Sequence, residues 1–535
     1  MGAPKTYLIQ QPGRTYWVPF WSERMQDWTS GYIADIGYTF GYYAELNPMR
    51  VKLAFLNKGL VCPQVSSACE LGFGQGLSAN FHAAASVNHW HGTDFNPSQA
   101  GFAQELAAAS GAGAKLYDQA FAEFASRSDL PDFDYIGLHG IWSWISDENR
   151  KVIVDFIGHK LKVGGVLYIS YNTLPGWSTF APMRHLMTEH AEVLGAEGRG
   201  IVSRIDGAMD FAEKLLATNP IFSRSNPQVN DRLRQMKAHS RHYLAHEYFN
   251  RDWHPMHVST MAGWLEPAKV QYACSAHYLD HIDAVNLTPE QQAFLKEIPD
   301  PMFRETTRDF MVNQQFRRDY WVKGARRLNV FEQAEQLREQ RVLLVVHRPD
   351  VSLKITGALG EATLSESVYA PILDLLADHE VKTLGQIEQA LKDKGMAFAQ
   401  IIQAAMVLTG AGQLALAQDE PVIARARQLT EKLNAHLCQK ARGSAEISYL
   451  ASPVTGGGIA VNRFQQLFLQ ALEQGKQEPV EWAQHVWQIL QTQGQKLVKE
   501  GKTLETAEEN LAEITSQAEN FAVKSLPSLK ALLIA

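Results

Sequence analysis

The chain has 535 residues, 45% of them hydrophobic and 20% charged, with 50 basic against 57 acidic side chains and a formal net charge of −7. At a typical domain size of about 150 residues, that length implies roughly three or four folding units, each able to bury a core. A disordered or low-complexity chain is excluded, and the charge leaves no electrostatic footprint for nucleic acid or an anionic membrane. Cys62, Cys69, Cys274 and Cys438 show no short paired spacing, so neither a disulfide framework nor a cysteine zinc site is indicated. A reducing, cytoplasmic setting is expected. The N-terminus lacks the apolar length of a signal peptide, and no run reaches the roughly 18 apolar residues of a membrane span.

Residues 1–45 form an aromatic-rich lead-in, with Tyr16, Trp17, Phe20, Trp21, Trp28, Tyr38, Tyr42 and Tyr43 among its rings. Such a segment reads as partly buried, since it would be insoluble if exposed. Apolar residues at helical spacing predict a helix over Asn47–Gly59. From about 64 to 171, short apolar runs alternate with amphipathic stretches, the pattern of a parallel sheet with crossover helices. Five strands are predicted: Ser67–Leu71, His89–Asp94, Ala114–Tyr117, Phe133–Leu138 and Val166–Ser170. Helices are predicted over Leu77–Ala85, over Pro97–Ser110 and over Asp147–Lys162, the last ending at Gly164 and Gly165.

Residues 186–330 read as a helical domain. A strand at Val342–Val346, three helices and a strand at Leu414–Ala417 give 331–425 a winged-helix-like layout. Amphipathic helices broken by Gly456, Gly457 and Gly458 fill 426–535. The expected architecture is therefore an α/β domain over 46–185 followed by mainly helical domains.

The central motif is Glu70-Leu-Gly72-Phe-Gly74-Gln-Gly76, placed between a strand and a helix, where backbone N–H groups point outward. Its third glycine comes too early for a dinucleotide fingerprint, and an acid stands two before the first glycine. Both features disfavour a pyrophosphate and favour a ligand with a positive group near the loop. Asp94 ends the second strand, where a carboxylate can accept both hydroxyls of a ribose, and Asp118 ends the third. On a purely structural reading, Glu70 partners the helix N-terminus and Asp94 caps the helix at Pro97.

The glycine motif, Asp94 and Asp118-Gln119-Ala120 resemble motifs of the class I S-adenosylmethionine-dependent methyltransferases, over about residues 64–171. The resemblance implies a Rossmann-like seven-stranded domain. It places Gly72, Gly74 and Gly76 at the methionine part, Asp94 at the ribose and Asp118 at the adenine amine, with Glu70 and Gln119 as further cofactor-binding candidates. A closer resemblance rests on the run from Phe133 to Trp144, Tyr171–Trp177, His246-Glu-Tyr-Phe and the Arg/Phe-rich stretch from Phe303 to Arg318. These look like bacterial methyltransferases carrying a methyltransferase regulatory domain, a group that includes the rickettsial outer-membrane-protein lysine methyltransferases. It implies S-adenosylmethionine as donor, S-adenosylhomocysteine as product, and a bulky acceptor, with a protein lysine amine favoured.

Methyl transfer from a sulfonium is an in-line displacement, so positioning in a dry pocket can supply most of the catalysis. A lysine amine is neutral in only about one molecule in a few thousand at pH 7; desolvation among aromatics and the adjacent sulfonium would favour that form. Candidates at the ends of strands four and five are His139, Trp142, Trp144, Tyr171, Asn172 and Trp177, with His139, Tyr171 and Trp142 first for catalysis. His139 is also a candidate cofactor contact; a loop-shaping histidine and core tryptophans are the bland alternatives. Tyr38, Tyr42 and Tyr43 could form a lid.

No metal site is expected: the histidines at 239, 242, 246, 254 and 257 lack a protease spacing. The winged-helix-like segment carries four basic and four acidic residues over 381–426, which argues against nucleic acid. Arg304, Arg308, Arg317 and Arg318 suit an anionic substrate or, as the stronger expectation, ion pairs on a helix surface. The competing functions are methylation of a glycan or small metabolite and a non-catalytic sensor of the cofactor. A homodimer is left open.

Overall fold

The computed structural model describes residues 39–195 and 200–535 in full, together with an antiparallel backbone pair formed by residues 6–11 and 14–19. Tyr38 and the aromatics at 20, 21 and 28 lie outside the described residues.

A seven-stranded sheet organises the first half of the chain. Its strands are β1 (Ser67–Leu71), β2 (His89–Thr93), β3 (Lys115–Tyr117), β4 (Phe133–Leu138), β5 (Leu161–Asn172), β6 (Val270–Ser275) and β7 (Phe316–Lys323), in spatial order 3-2-1-4-5-7-6. β1 to β5 pair in parallel, whereas β7 runs antiparallel to both β5 and β6. All five residues of β1 are buried, as expected for a central strand covered on both faces. This is the seven-stranded class I methyltransferase sheet that the resemblance implied.

The local signals explain the first five strands and their helices. Pro97 occupies the first turn of the helix Pro97–Ser110, Asn96 Oδ1 accepts the Ser98 N–H at 3.0 Å, and Gly111 (φ 68°) ends it in the left-handed region. Ser146 caps the helix Asp147–Lys160, which carries Asp147 and Glu148 in its first turn.

The expectation of a helical domain over 186–330, separate from a sheet domain over 46–185, needs correcting. β6 and β7 come from that stretch and complete the sheet. β6 is a short Val-Gln-Tyr-Ala-Cys-Ser run with little apolar alternation, and β7, Phe-Arg-Arg-Asp-Tyr-Trp-Val-Lys, carries charge in the strand interior. Arg317 and Asp319 nonetheless stay buried, because they neutralise each other. The Arg317 guanidinium lies 2.8 Å from Asp319 Oδ2, 2.5 Å from Asp309 Oδ1 and 3.1 Å from Glu305 Oε2. Arg304 donates to the Ile298 carbonyl, Arg308 to the Asp280 carbonyl, and Arg318 pairs with Glu45 at 2.7 Å. All four arginines thus have protein partners, and the Arg317 cluster is buried rather than on a helix surface.

Between β5 and β6, helices from Ala181 to Tyr248 pack around Trp177, Phe180, Met187, Ile205 and Leu244. Further on, strands Arg341–Leu344, Lys382–Thr383 and Leu414–Leu416 form a three-stranded antiparallel sheet beside helices Glu366–Leu375, Leu384–Ala390 and Phe398–Gly410. The last part is helical, apart from the hairpin Tyr449–Ser452/Gly457–Ala460 and a shorter one at 498–503. Among the described residues, no helix is long and apolar enough to cross a membrane, and all four cysteines are free.

The glycines at 457 and 458 are where this last part meets the sheet domain. A Cβ on Gly457 would collide with Tyr42 Oη, and one on Gly458 would lie 2.6 Å from Phe81. Tyr42 packs between Phe81 and Tyr449, with Oη 3.2 Å from His82 Nε2. Tyr42 therefore bolts two domains together and is not part of a lid.

Candidate functional site

The carboxyl ends of β1, β2 and β4 open into a cleft walled by Glu70, Gly72, Gly74, Asp94, Gln119 and His139. Its floor is the glycine turn. Gly72 (φ 73°) and Gly74 (φ 57°) are left-handed, so the turn can bend tightly and keep its backbone bare toward the cleft. Asp94 holds the turn in shape: Oδ2 accepts the Gly74 N–H at 2.8 Å and Oδ1 accepts the Asn96 N–H at 3.0 Å. Burial pushes Asp94 up to about 6 despite those two amides. Glu70 lies deeper. Burial, reinforced by the Asp94 charge, pushes it up to about 8, and its Oε2 has no hydrogen-bond partner.

An orphaned carboxylate oxygen beside bare left-handed glycines is a cradle for a ligand that brings a donor or a positive charge. The amino acid part of S-adenosylmethionine brings both, so Glu70, Gly72 and Gly74 fit that group.

Gly76 does not line the cleft. It caps the helix Leu77–Ala85 at φ 71°, and a Cβ there would collide with Ala103. Its part is to seat that helix against Pro97–Ser110. Asp118 is exposed and also off the cleft wall, while Gln119, Ala120 and Phe121 from the same loop line it.

His139 follows β4 and lines the cleft. Its Nδ1 is 2.7 Å from Tyr168 Oη, Tyr43 stacks on its ring at 3.7 Å, and burial pushes it down to about 4. The imidazole is therefore neutral at physiological pH. Tyr43 alone of the described lead-in tyrosines sits at the site.

Trp142 and Tyr171, expected to be catalytic, lie elsewhere. Trp142 is fully buried, with its indole N–H toward Met256 Sδ at 3.4 Å and its carbonyl accepting from Arg150. Tyr171 is 1% exposed and donates to Asp319 Oδ2 at 2.8 Å. The reason is the period-two alternation of β5: Tyr168 and Asn172 face the site, and Tyr171 points to the opposite face. Trp144, two residues after Trp142, reaches the wall.

A second cleft opens from the first. Tyr43, His139, Gly140, Trp144, His246 and Glu247 border both, and Asn172, Trp177, Tyr243, Tyr248 and Phe316 continue the second cleft outward. The Arg232 guanidinium lies 3.9 Å over the Trp177 ring and donates to Gln315 Oε1 at 3.2 Å. Sequence reasoning passed over Tyr243, Glu247 and Phe316. The signal available was the His246-Glu-Tyr-Phe run, which supported the family resemblance and was discounted as a metal site, but was not read as supplying a cleft carboxylate.

The histidines of that region disperse: His239 stacks beside Tyr243, His257 on Phe310, and the His254 N–H donates to the Ser143 carbonyl. Among the described residues, no group of three or more His, Cys, Asp or Glu side chains could hold a metal ion.

The family model of a predicted methyltransferase regulatory domain matches residues 240–323, the stretch that supplies Glu247, β6 and β7. An uncharacterized protein of Synechocystis sp. is 42% identical over 510 residues, spanning 94% of this chain and 99% of its own length. An uncharacterized protein of Rickettsia prowazekii is 25% identical over 293 residues, 51% of this chain and 49% of its own. Among solved structures, PKMT2 from Rickettsia typhi, in complex with AdoHcy, superposes with a TM-score of 0.64 over 93% of this chain and 100% of its own, at 17% identity.

Proposed function

Because the chain belongs to the family of S-adenosylmethionine-dependent class I methyltransferases that carry a methyltransferase regulatory domain, we propose that it transfers the donor's methyl group to a lysine side-chain amine of a protein. One observation carries the acceptor reading: the cofactor cleft continues through Tyr43 and Trp144 into an aromatic channel, with a single carboxylate, Glu247, where the two meet. A ring-lined passage suits a long alkyl chain with a cationic tip, and Arg232, the cation in its wall, is stacked on Trp177. The name of the Rickettsia typhi neighbour points the same way.

When bound, S-adenosylmethionine supplies a sulfonium-activated methyl carbon. The residues of this chain do the rest. Asp94, released from Gly74 or sharing with it, accepts from the ribose, and Glu70 receives the amino acid part. Tyr43, His139 and Trp144 exclude water and direct the acceptor nitrogen along the axis of the channel. The neutral His139 ring adds no positive charge that would repel an arriving ammonium; that ammonium gives up a proton to water before its nitrogen attacks the methyl carbon and the thioether of S-adenosylhomocysteine leaves. A cytoplasmic location belongs to the same proposal and is supported by four free cysteines.

Titration with S-adenosylhomocysteine tests the donor site. Asp94→Ala should weaken that binding by about 100-fold while circular dichroism stays native, since a buried charged acceptor is lost; unchanged affinity removes the ribose assignment. Incubation with labelled donor and host extract, followed by mass spectrometry of the labelled product, tests the acceptor. A methyl on lysine nitrogen supports the reading, a methyl on oxygen replaces it with the glycan or metabolite alternative, and binding without turnover leaves a sensor.

A further inference from the structure

Among the described residues, Glu247 is the one carboxylate that borders both clefts; Glu70, Asp94 and Asp252 border the cofactor cleft alone. It comes from the helix Arg241–Tyr248, whose Leu244, Ala245 and Tyr248 are buried against the cluster around Trp177 and Phe180. That packing fixes the helix rotation. Glu247 and Tyr243, one turn apart, then share the channel face.

The electrostatics of Glu247 are unusual. Glu247 is half-buried, and the desolvation pushes its carboxyl up to about 7; among the described residues no ion pair or hydrogen bond to it offsets that cost. The three Arg317 neighbours Asp319, Asp309 and Glu305 have their cation, and Asp94 has two amides. Arg232 stacks on Trp177 instead. A half-buried carboxylate at the junction of two clefts carries a partial desolvation cost that a bound cation would offset.

We propose that Glu247 is the specificity-determining carboxylate of the acceptor channel, receiving the ammonium tip of the incoming lysine where the channel meets the cofactor cleft. The inference rests on the lysine reading above and deepens it. The aromatic walls take the methylene chain and Glu247 takes the charge, so an acceptor with a hydroxyl tip gains the first contact and forfeits the second. Because the ion pair forms at a half-buried carboxylate inside a cleft, it is stronger than a surface pair and discriminates between a cationic and a neutral tip.

Three probes test this by calorimetry: S-adenosylhomocysteine itself, its analogue with nitrogen in place of sulfur carrying a 2-aminoethyl arm, and the same analogue with a propyl arm. The two arms are nearly equal in size and differ in charge. The wild-type protein should bind the aminoethyl analogue about 10- to 100-fold more tightly than the propyl analogue, the range of a charge-assisted contact. In Glu247→Gln that ratio should fall to near one while affinity for S-adenosylhomocysteine is kept, which also shows the variant is folded. A wild-type protein without preference for the amine arm overturns the lysine reading and this inference with it. A preference that survives in Glu247→Gln overturns the role of Glu247 and leaves the lysine reading standing.

Discussion

His139 Nδ1 lies 2.7 Å from Tyr168 Oη, and Tyr43 covers a face of the same imidazole at 3.7 Å. The ring is held by a β4 terminus, a β5 side chain and the lead-in at once, so the three segments set its position jointly. Its pushed-down pKa of about 4 has a kinetic consequence. Turnover measured between about pH 5.5 and 8 should show no histidine step from His139, since the ring stays neutral throughout. His139→Ala should lower turnover by about 10- to 100-fold through loss of acceptor alignment. A variant of near-normal turnover would reduce His139 to packing.

Glu70 and Asp94 make the ligand-free protein sensitive to base. Burial raises the two carboxyls to about 8 and about 6, against about 4 in the unfolded chain. Between about pH 4 and pH 8 the native state therefore binds more protons than the unfolded state, and stability falls as pH rises. The melting temperature of ligand-free protein should be higher at the acid end of that window, and Glu70→Gln should flatten the slope. An unaltered slope in that variant would contradict the buried charge assigned to Glu70.

Gly76 joins the turn to two packed helices at φ 71°, with Ala103 against its missing side chain. Gly76→Ala should cost about 1–3 kcal/mol of stability, from left-handed strain and overpacking together. Urea unfolding reads this directly. Loss of cofactor affinity without loss of stability would instead make Gly76 a ligand contact.

Tyr171 and Arg317 belong to a buried polar cluster that braces β7 against β5. Tyr171→Phe removes one hydrogen bond and should cost about 1 kcal/mol while turnover is preserved. Arg317→Met leaves the carboxylates of Glu305, Asp309 and Asp319 without their cation and should cost about 3–5 kcal/mol. If Tyr171→Phe abolishes turnover at unchanged stability, its placement away from the chemistry is wrong.

Much of the site was legible in order along the chain. Strand β1, the glycine turn and the helix Leu77–Ala85 are consecutive, and so are β2, Asp94 and the helix at Pro97; their turn glycines, caps and apolar runs are local chemistry that any reader of the sequence can follow. The residues that close the sheet were hidden, because β6 is short and lacks a strong apolar run, while β7 carries charge that can be buried only when Arg317 meets Asp319, Asp309 and Glu305. Which neighbour faces the site was hidden too. Tyr42 and Tyr43 point to different partners, Trp142 is core while Trp144 is wall, and Tyr171 is turned away while Asn172 is not.

The sequence by itself determined the first cleft: a strand, a bare turn and two acids, whose geometry is set by backbone conformation over short stretches. Tertiary structure alone decided the second cleft, bringing Tyr43, His139, Glu247 and Phe316 to one channel from four distant segments. Short-range dihedral and capping preferences can be read residue by residue, whereas a channel wall depends on which faces of separate elements lose their water to each other.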